Sequence, residues 1–206
     1  MSVKATLFDQ FRQPRGPLGR LAGRIMSRRS SNRQRSAWTV DLLDVGPGDR
    51  VLELGYGPGL GIEAVLDRLP DGRGRVVGVD HSPTMQAMAA RRVRGHPSPV
   101  RPELLVGDAA ALPPGLGELD KIFSCNVWLF WSDPVAVLAG HRAHLAPGGT
   151  LAVTHLPRHG GATRATTLAA GDTIAAQLAE AGYRDIRQEV LDLDPVPAVS
   201  VLGTTA

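Results

Sequence analysis

The sequence predicts an α/β fold, with one doubly wound sheet of about seven strands, mostly parallel with one antiparallel strand, and helices on both faces. Two observations indicate this fold. The apolar run Val51–Leu54, typical of a buried strand, leads directly into glycines at positions 55, 57, 59 and 61, and a helical pattern follows at once. Strand-like and helical patterns then alternate for five units, and two strand-like runs joined by a short link close the chain.

Turn residues separate the predicted elements in the first half of the chain. We expect a short helix over Ser36–Val45, followed by a turn at Gly46–Asp49 that leads into the first strand. Ser82 and Pro83 are typical of a helix start, because a serine hydroxyl caps free amide groups and proline fits the first helical position. The strands predicted in this half are Val51–Leu54, Arg75–Val79, which leads into Asp80, and Val100–Val106.

The second half continues the alternation. His155 is expected at the tip of the fifth strand, and residues 157–167 are expected to form a loop or a broken helix. Asp172 is the predicted cap of a helix that extends to Ala181. The strands predicted in this half are Leu119–Cys125, Thr150–Thr154, Ile186–Leu191 and Val199–Leu202.

Charge is distributed unevenly along the 206 residues. Residues 1–36 carry nine basic side chains and one acidic, whereas the remainder carries 14 basic and 19 acidic. We therefore predict a basic N-terminal arm or lid over residues 1–36 and a single domain over residues 37–206. The arm could bind a nucleic acid or an anionic surface. The interpretation we favour is that it folds over the ligand cleft with its basic face outward.

Composition disfavours several classes of protein. No apolar run approaches the ~18 residues that a membrane-spanning helix needs, and the N-terminus lacks the apolar core of a signal peptide. The single cysteine, Cys125, excludes an internal disulfide and disfavours a cysteine-based metal site. No other constellation of metal ligands stands out, so we expect no metal centre. Because the sequence lacks a signal peptide and a disulfide, we expect a cytoplasmic protein.

The spacing of the glycines discriminates between classes of nucleotide site. The dinucleotide fingerprint GxGxxG would need glycine where Leu60 or Ile62 stands, and no Gly-Lys-Ser/Thr follows as in a P-loop. The pattern is instead ExGxGxG, which begins at Glu53, and an acid follows each of the next two strands. This arrangement resembles the first motifs of the class I S-adenosylmethionine (SAM)-dependent methyltransferases. Leu145–Leu151 (LAPGGTL) is similar to the LxPGGxL turn of that family, and the resemblance extends over roughly residues 36–206.

The resemblance implies a Rossmann-like fold and a site for SAM. In the family, the acid after the second strand binds both ribose hydroxyls, a role that falls on Asp80. The acid after the third strand binds the adenine amino group, which implicates Asp108, and the backbone of Ala109 would read the ring edge. Glu53 would hold the methionine ammonium. The cofactor-binding residues implied are Glu53, Gly55, Tyr56, Gly57, Gly59, Asp80, His81, Met85, Asp108, Ala109 and Asn126.

The implied reaction is in-line transfer of a methyl group, in which alignment and exclusion of water supply most of the catalysis. A base is needed only for a weakly acidic acceptor. His155 is the first candidate because the tip of the fifth strand faces the acceptor side, and His159 in the following loop is the second. His141 and His144 are expected on a helix away from the crevice. The predicted substrate pocket is walled by Trp128, Phe130 and Trp131.

The leading interpretation is a SAM-dependent methyltransferase for a small organic acceptor, with S-adenosylhomocysteine (SAH) as the product. Asn126 is followed by Val127 and Trp128 instead of the Pro-Pro-Tyr/Phe of enzymes that methylate base amines, which disfavours nucleic acid as the acceptor. The alternatives are an RNA or protein methyltransferase that uses the basic arm, a catalytically silent SAM-binding protein, and a nicotinamide oxidoreductase, which the glycine spacing disfavours. The sequence leaves open the acceptor and whether the chain forms a homodimer.

Overall fold

The computed structural model describes residues 21, 23, 24 and 30–206, and this part of the chain alternates strands with helices. The predicted arm lies outside the described residues except for residues 21, 23, 24 and 30–36. The strands are β1 (Arg50–Leu54), β2 (Arg75–Asp80), β3 (Glu103–Val106), β4 (Leu119–Cys125), β5 (Leu145–His155), β6 (Arg184–Leu191) and β7 (Ala198–Thr204). The helices are α1 (Ser30–Leu43), α2 (Leu60–Asp67), α3 (Pro83–Val93), α4 (Pro134–Arg142) and α5 (Arg164–Glu180).

The seven strands form one sheet in the order β3-β2-β1-β4-β5-β7-β6. β1 lies at the centre of the parallel part, between β2 and β4, and β3 and β5 pair in parallel with those two strands. β7 is antiparallel to both β5 and β6, so it is the reversed strand. The predicted fold class is confirmed.

Alternate residues of the strands enter two separate cores, one on each face of the sheet. Leu52 and Val153 pack with residues of α4 and α5, whereas Val51 and Phe123 pack with residues of α1, α2 and α3. Each fully buried side chain of this size stabilises the fold by about 1.5–3 kcal/mol. Because both faces are covered, the central strands are continuously apolar, which is why the sequence marks them clearly.

Four predicted boundaries are wrong. β5 begins at Leu145 and not at Thr150, because Leu145 pairs with Leu119 of β4 before the bulge, so the predicted turn lies within the strand. α1 begins at Ser30, six residues before the predicted start, because its first turns bury the polar side chains of Asn32 and Arg35 and so carry no apolar stripe. α5 begins at Arg164, since Thr163 and Thr166 form a reciprocal capping box, so Asp172 lies inside the helix. β3 starts only at Glu103, after a proline that has no amide hydrogen for the ladder.

None of the helices in the described part of the chain is long and apolar enough to cross a membrane.

Candidate functional site

A glycine-rich loop joins β1 to α2 at the carboxyl edge of the sheet. Gly55, Gly57 and Gly59 all have positive φ, at 65°, 51° and 84°, a conformation that other residues rarely adopt. Apart from its chain neighbours, no described residue has an atom within 4 Å of the position that a Cβ of Gly57 would occupy. Tyr56 anchors the loop, because its buried ring packs on Gly78 and its hydroxyl donates to Leu105 O at 3.2 Å.

Asp80, the last residue of β2, holds the glycine loop against the neighbouring strand. Its Oδ2 accepts a hydrogen bond from Gly57 N at 2.8 Å, and its Oδ1 accepts one from Ser82 N at 2.9 Å. Burial raises the pKa of Asp80, and these two amide groups oppose the rise. A carboxylate has about four lone-pair sites, so Asp80 retains acceptor capacity for a ligand.

Glu53 lies in the middle of the site and is 3% exposed. Its carboxylate lies against Gly61, where an added Cβ would be 2.3 Å from Oε1, so the glycine provides room for the acid. Burial raises the pKa of Glu53, while the backbone amide of Ile62 lowers it. Oε2 has no hydrogen-bond partner in the described part of the chain. A buried acceptor without a partner is costly, and this one is free for a ligand.

Arg35 of α1 is a site residue that the sequence did not reveal. It is 7% exposed, and its Nε has no hydrogen-bond partner among the described residues. Arg35 and Glu53 line the same small cavity, of about 80 Å³, together with the glycine loop and Cys125. The positive charge of Arg35 also lowers the pKa of Glu53. The cavity therefore presents a buried cation and a buried acid, each with an atom that makes no hydrogen bond within the described part of the chain.

The loop after β3 is held by a second residue that the sequence did not assign to the site. Asp108 is exposed, and its Oδ1 accepts from Ala110 N at 2.8 Å. The carbonyl of Ala109 accepts from Nε2 of His141, which is buried in α4, at 2.8 Å. Burial lowers the pKa of His141 to about 4, so the ring is neutral at physiological pH. His141 thus lies 32 residues after Ala109 in the sequence, but its side chain holds the loop that follows β3.

The remaining predicted cofactor residues lie beside Asp80. His81 is partly exposed, with Nδ1 4.0 Å from Oδ1 of Asp80. Met85 is buried in α3. Gly23, from the N-terminal arm, packs against α3. A Cβ added at Gly23 would lie 2.6 Å from Sδ of Met88 and 2.9 Å from Cε of Met85. This described part of the N-terminal arm therefore contacts the helix that carries a predicted cofactor residue.

The tips of β4 and β5 form the other side of the crevice. The side-chain amide of Asn126 binds the backbone of Leu156 twice, accepting from N at 2.7 Å and donating to O at 3.0 Å. His155 contacts Trp128 edge-to-face, with 5.8 Å between ring centroids. Burial lowers the pKa of His155 to about 4, and the charge of Arg35 acts in the same direction. The Asn126 side chain thus joins two strand ends, and His155 and Trp128 lie together.

The other three predicted residues of this side are placed differently. His159 is exposed, and its Nδ1 lies 3.2 Å from the carbonyl of the next residue. Phe130 is half-buried in a short 3-10 helix, Trp128–Phe130. Trp131 packs on His141, with 5.5 Å between ring centroids, and belongs to the core under α4. Of the aromatic wall, Trp128 is therefore the member in contact with His155.

The fold and the acidic strand ends define a nucleotide-binding α/β protein, and comparison with known proteins identifies its family. A protein-family model described as "Methyltransferase domain" matches residues 51–149. The uncharacterized methyltransferase YdaC of Bacillus subtilis (strain 168) is 33% identical over 175 residues, which cover 85% of this chain and 92% of the relative. The chain belongs to the class I SAM-dependent methyltransferases, as the sequence predicted.

Two further proteins extend the comparison. Erythromycin 3''-O-methyltransferase of Saccharopolyspora erythraea is 26% identical over 178 residues, covering 76% of this chain and 57% of that protein. The crystal structure of N-methyltransferase NodS from Bradyrhizobium japonicum in complex with SAH superposes with a TM-score of 0.66 at 17% identity, covering 86% of this chain and 89% of NodS. At that identity the second likeness concerns the fold.

Proposed function

We propose that this methyltransferase binds SAM across the carboxyl edge of the sheet and transfers its methyl group to a small organic acceptor. The observation that carries the proposal is the pair of buried groups in one cavity, Arg35 and Glu53, each with an atom that has no partner among the described residues. The methionine end of SAM carries a carboxylate and an ammonium group. In this proposal Arg35 binds the carboxylate and Glu53 the ammonium, directly or through water, so the ligand satisfies both groups.

The adenosine half of SAM would extend from this cavity towards β2 and β3. Asp80 accepts hydrogen bonds from both ribose hydroxyls while it keeps its bonds to Gly57 and Ser82. Asp108, which is exposed and follows β3, accepts the adenine amino group, and the backbone of Ala109 contacts the ring edge. The partly exposed His81 flanks the adenine. These roles accord with the carboxyl-edge rule for ligands of doubly wound sheets.

Two features support a small acceptor: the net negative charge of residues 37–206 and the apolar side chain at the proposed acceptor pocket. Outside residues 1–36 the chain has 14 basic and 19 acidic side chains, whereas phosphate backbones are bound mainly by positive charge. Trp128 beside His155 provides an apolar wall of the kind that buries organic ligands. One relative is named for the methylation of erythromycin, an organic molecule of modest size.

The reaction itself needs little chemistry from side chains. The acceptor attacks the methyl carbon in line, the S–CH3 bond breaks, and its electron pair stays on the sulfur of SAH. His155, with a pKa of about 4, is neutral across the physiological range but is a weak base. We therefore assign it the role of orienting an acceptor hydroxyl through a hydrogen bond, with the acceptor proton passing to it or to water. His159, exposed in the next loop, is the second candidate.

The N-terminal arm would complete the acceptor pocket. Gly23 contacts Met85 and Met88 of α3, beside the proposed adenosine site. Asn32, Arg35 and Ser36 of α1 line the proposed methionine site. A protein lacking residues 1–29 should lose turnover, whereas full activity of the truncated protein on its true acceptor would reject the lid.

Calorimetry and methyl labelling test the proposed function. SAH should bind at one site per chain, and NAD should not bind. Label from methyl-labelled SAM should appear in the low-molecular-mass fraction of a cell extract, with little dependence on salt. Label in RNA, together with RNA binding that weakens by orders of magnitude between about 50 and 200 mM salt, would replace the small acceptor by a nucleic acid. NAD binding without SAH binding would contradict the cofactor assignment.

A further inference from the structure

A chain of buried hydroxyl groups crosses the core between α1 and the sheet. Oγ1 of Thr39 lies 2.8 Å from Oγ1 of Thr154 in β5, and Oγ1 of Thr154 lies 2.9 Å from Oγ of Ser200 in β7. Sγ of Cys125 in β4 lies 3.7 Å from Thr39. All three hydroxyl residues are 0% exposed. This row of hydroxyl groups therefore connects α1 to β5 and β7 through hydrogen bonds, which are directional.

The same hydroxyl of Thr39 also holds the backbone of Arg35. Oγ1 of Thr39 donates to the carbonyl of Arg35 at 2.9 Å, one turn earlier on α1. Arg35 is the cation of the proposed methionine site, and its Nε has no partner among the described residues. Apolar packing of α1 is non-directional and tolerates small shifts, whereas hydrogen bonds fix one position. The depth of Arg35 in the cavity is therefore set through Thr39.

We propose that Thr39 is a positioning residue for SAM, which acts through Arg35 and is held in turn by Thr154 and Ser200. The proposal rests on the proposed function, in which Arg35 binds the ligand carboxylate. Its consequence is selective. Losing the Thr39 hydroxyl should weaken ligands that carry the amino-acid end, and should leave ligands that consist only of the adenosine end unaffected.

Two probes separate positioning from a purely structural role. SAH carries the carboxylate, whereas 5′-methylthioadenosine shares its adenosine and sulfur but has no amino-acid end. In Thr39→Val, which keeps the shape of the side chain, we expect the Kd of SAH to rise about tenfold and that of methylthioadenosine to stay within about twofold. Thr39→Ser keeps the hydroxyl and should restore SAH binding. Equal weakening of both ligands, or of neither, would overturn the proposal.

Thr173→Val is the matched control. Thr173 makes the same bond to the carbonyl four residues earlier, Ala169, also at 2.9 Å, but it is exposed on α5. Its replacement should change neither ligand affinity. If Thr39→Val does not yield folded protein, Ser200→Ala removes only the far hydroxyl and should show the same selectivity with a smaller amplitude. Absence of that selectivity would likewise overturn the proposal.

Arg35→Leu distinguishes failure of this inference from failure of the proposed function. It should weaken SAH and spare methylthioadenosine, and adding Thr39→Val to it should weaken SAH no further. If Arg35→Leu does not discriminate between the two ligands, the methionine site itself is wrongly assigned. If Arg35→Leu discriminates and Thr39→Val does not, the site stands and the positioning role of Thr39 is rejected.

Discussion

Asp80 is the side chain whose replacement should affect both the fold and the ligand site. Asp80→Ala removes the acceptors of Gly57 N and Ser82 N, at 2.8 and 2.9 Å. A bond to a charged acceptor contributes about 1.5–3 kcal/mol, but removing the carboxylate also removes the burial penalty that raises its pKa. We expect a net loss of about 2 kcal/mol in the free energy of unfolding, which lowers Tm by about 4–8 °C for a chain of this size.

The same variant should weaken SAH binding by about 2–3 kcal/mol, or roughly 30- to 150-fold, because two ribose hydroxyls lose a charged acceptor. Thermal unfolding and calorimetry at 25 °C measure the two effects separately. Asp133→Ala is the matched control, since Asp133 caps α4 through a single amide, Ala136 N, at 3.1 Å and is exposed. It should cost about 1 kcal/mol of stability and leave SAH binding unchanged. An unchanged Kd in Asp80→Ala would remove Asp80 from the site.

Three further variants test other contacts. In Gly61→Ala the new methyl group would lie 2.3 Å from Oε1 of Glu53, so the carboxylate must move; we expect a folded protein with an SAH Kd raised about tenfold, and unchanged affinity in calorimetry would count against Glu53. Burial raises the pKa of Glu53 above 4.5, so its ionised form destabilises the fold above that raised pKa, and the penalty disappears as the pH falls towards 4.5. Glu53→Gln should therefore raise Tm at about pH 8 and less at about pH 5, and a gain that grows in acid would contradict this reasoning. In His141→Leu the buried carbonyl of Ala109 loses its donor, at 2.8 Å, which should cost about 1–3 kcal/mol in denaturant unfolding and weaken SAH and methylthioadenosine alike; wild-type values for both would show that the bond is dispensable.

The sequence predicted the sheet and the acidic edge of the site because both follow from short-range patterns. Buried parallel strands are continuous apolar runs, and their carboxyl ends meet at one edge of the sheet. Glu53 and Asp80 each lie in or directly after such a run, and the glycine loop brings them close together. The structure adds a contact that the sequence did not predict, a hydrogen bond from Gly57 N to the carboxylate of Asp80.

The residues that the sequence missed depend on tertiary contacts that no local pattern records. Arg35 lies in a stretch with many arginines, where nothing in the sequence distinguishes it, as a buried side chain, from the exposed Arg33. His141 was assigned to a helix away from the crevice, which is correct for its backbone, but its side chain extends to Ala109 across the core. The hydroxyl of Thr39 contacts that of Thr154, 115 residues along the chain, and Thr154 in turn contacts Ser200. Each contact pairs residues that only the completed sheet brings together.

The central claim is that SAM lies across the carboxyl edge with its methionine end between Arg35 and Glu53. A crystal structure of the chain with SAH tests this most directly. The account predicts the homocysteine carboxylate within hydrogen-bond distance of Arg35, the ribose hydroxyls on Asp80, and the adenine beside Asp108. SAH bound in the opposite direction, or bound away from this edge with the Arg35 and Glu53 cavity empty, would contradict it.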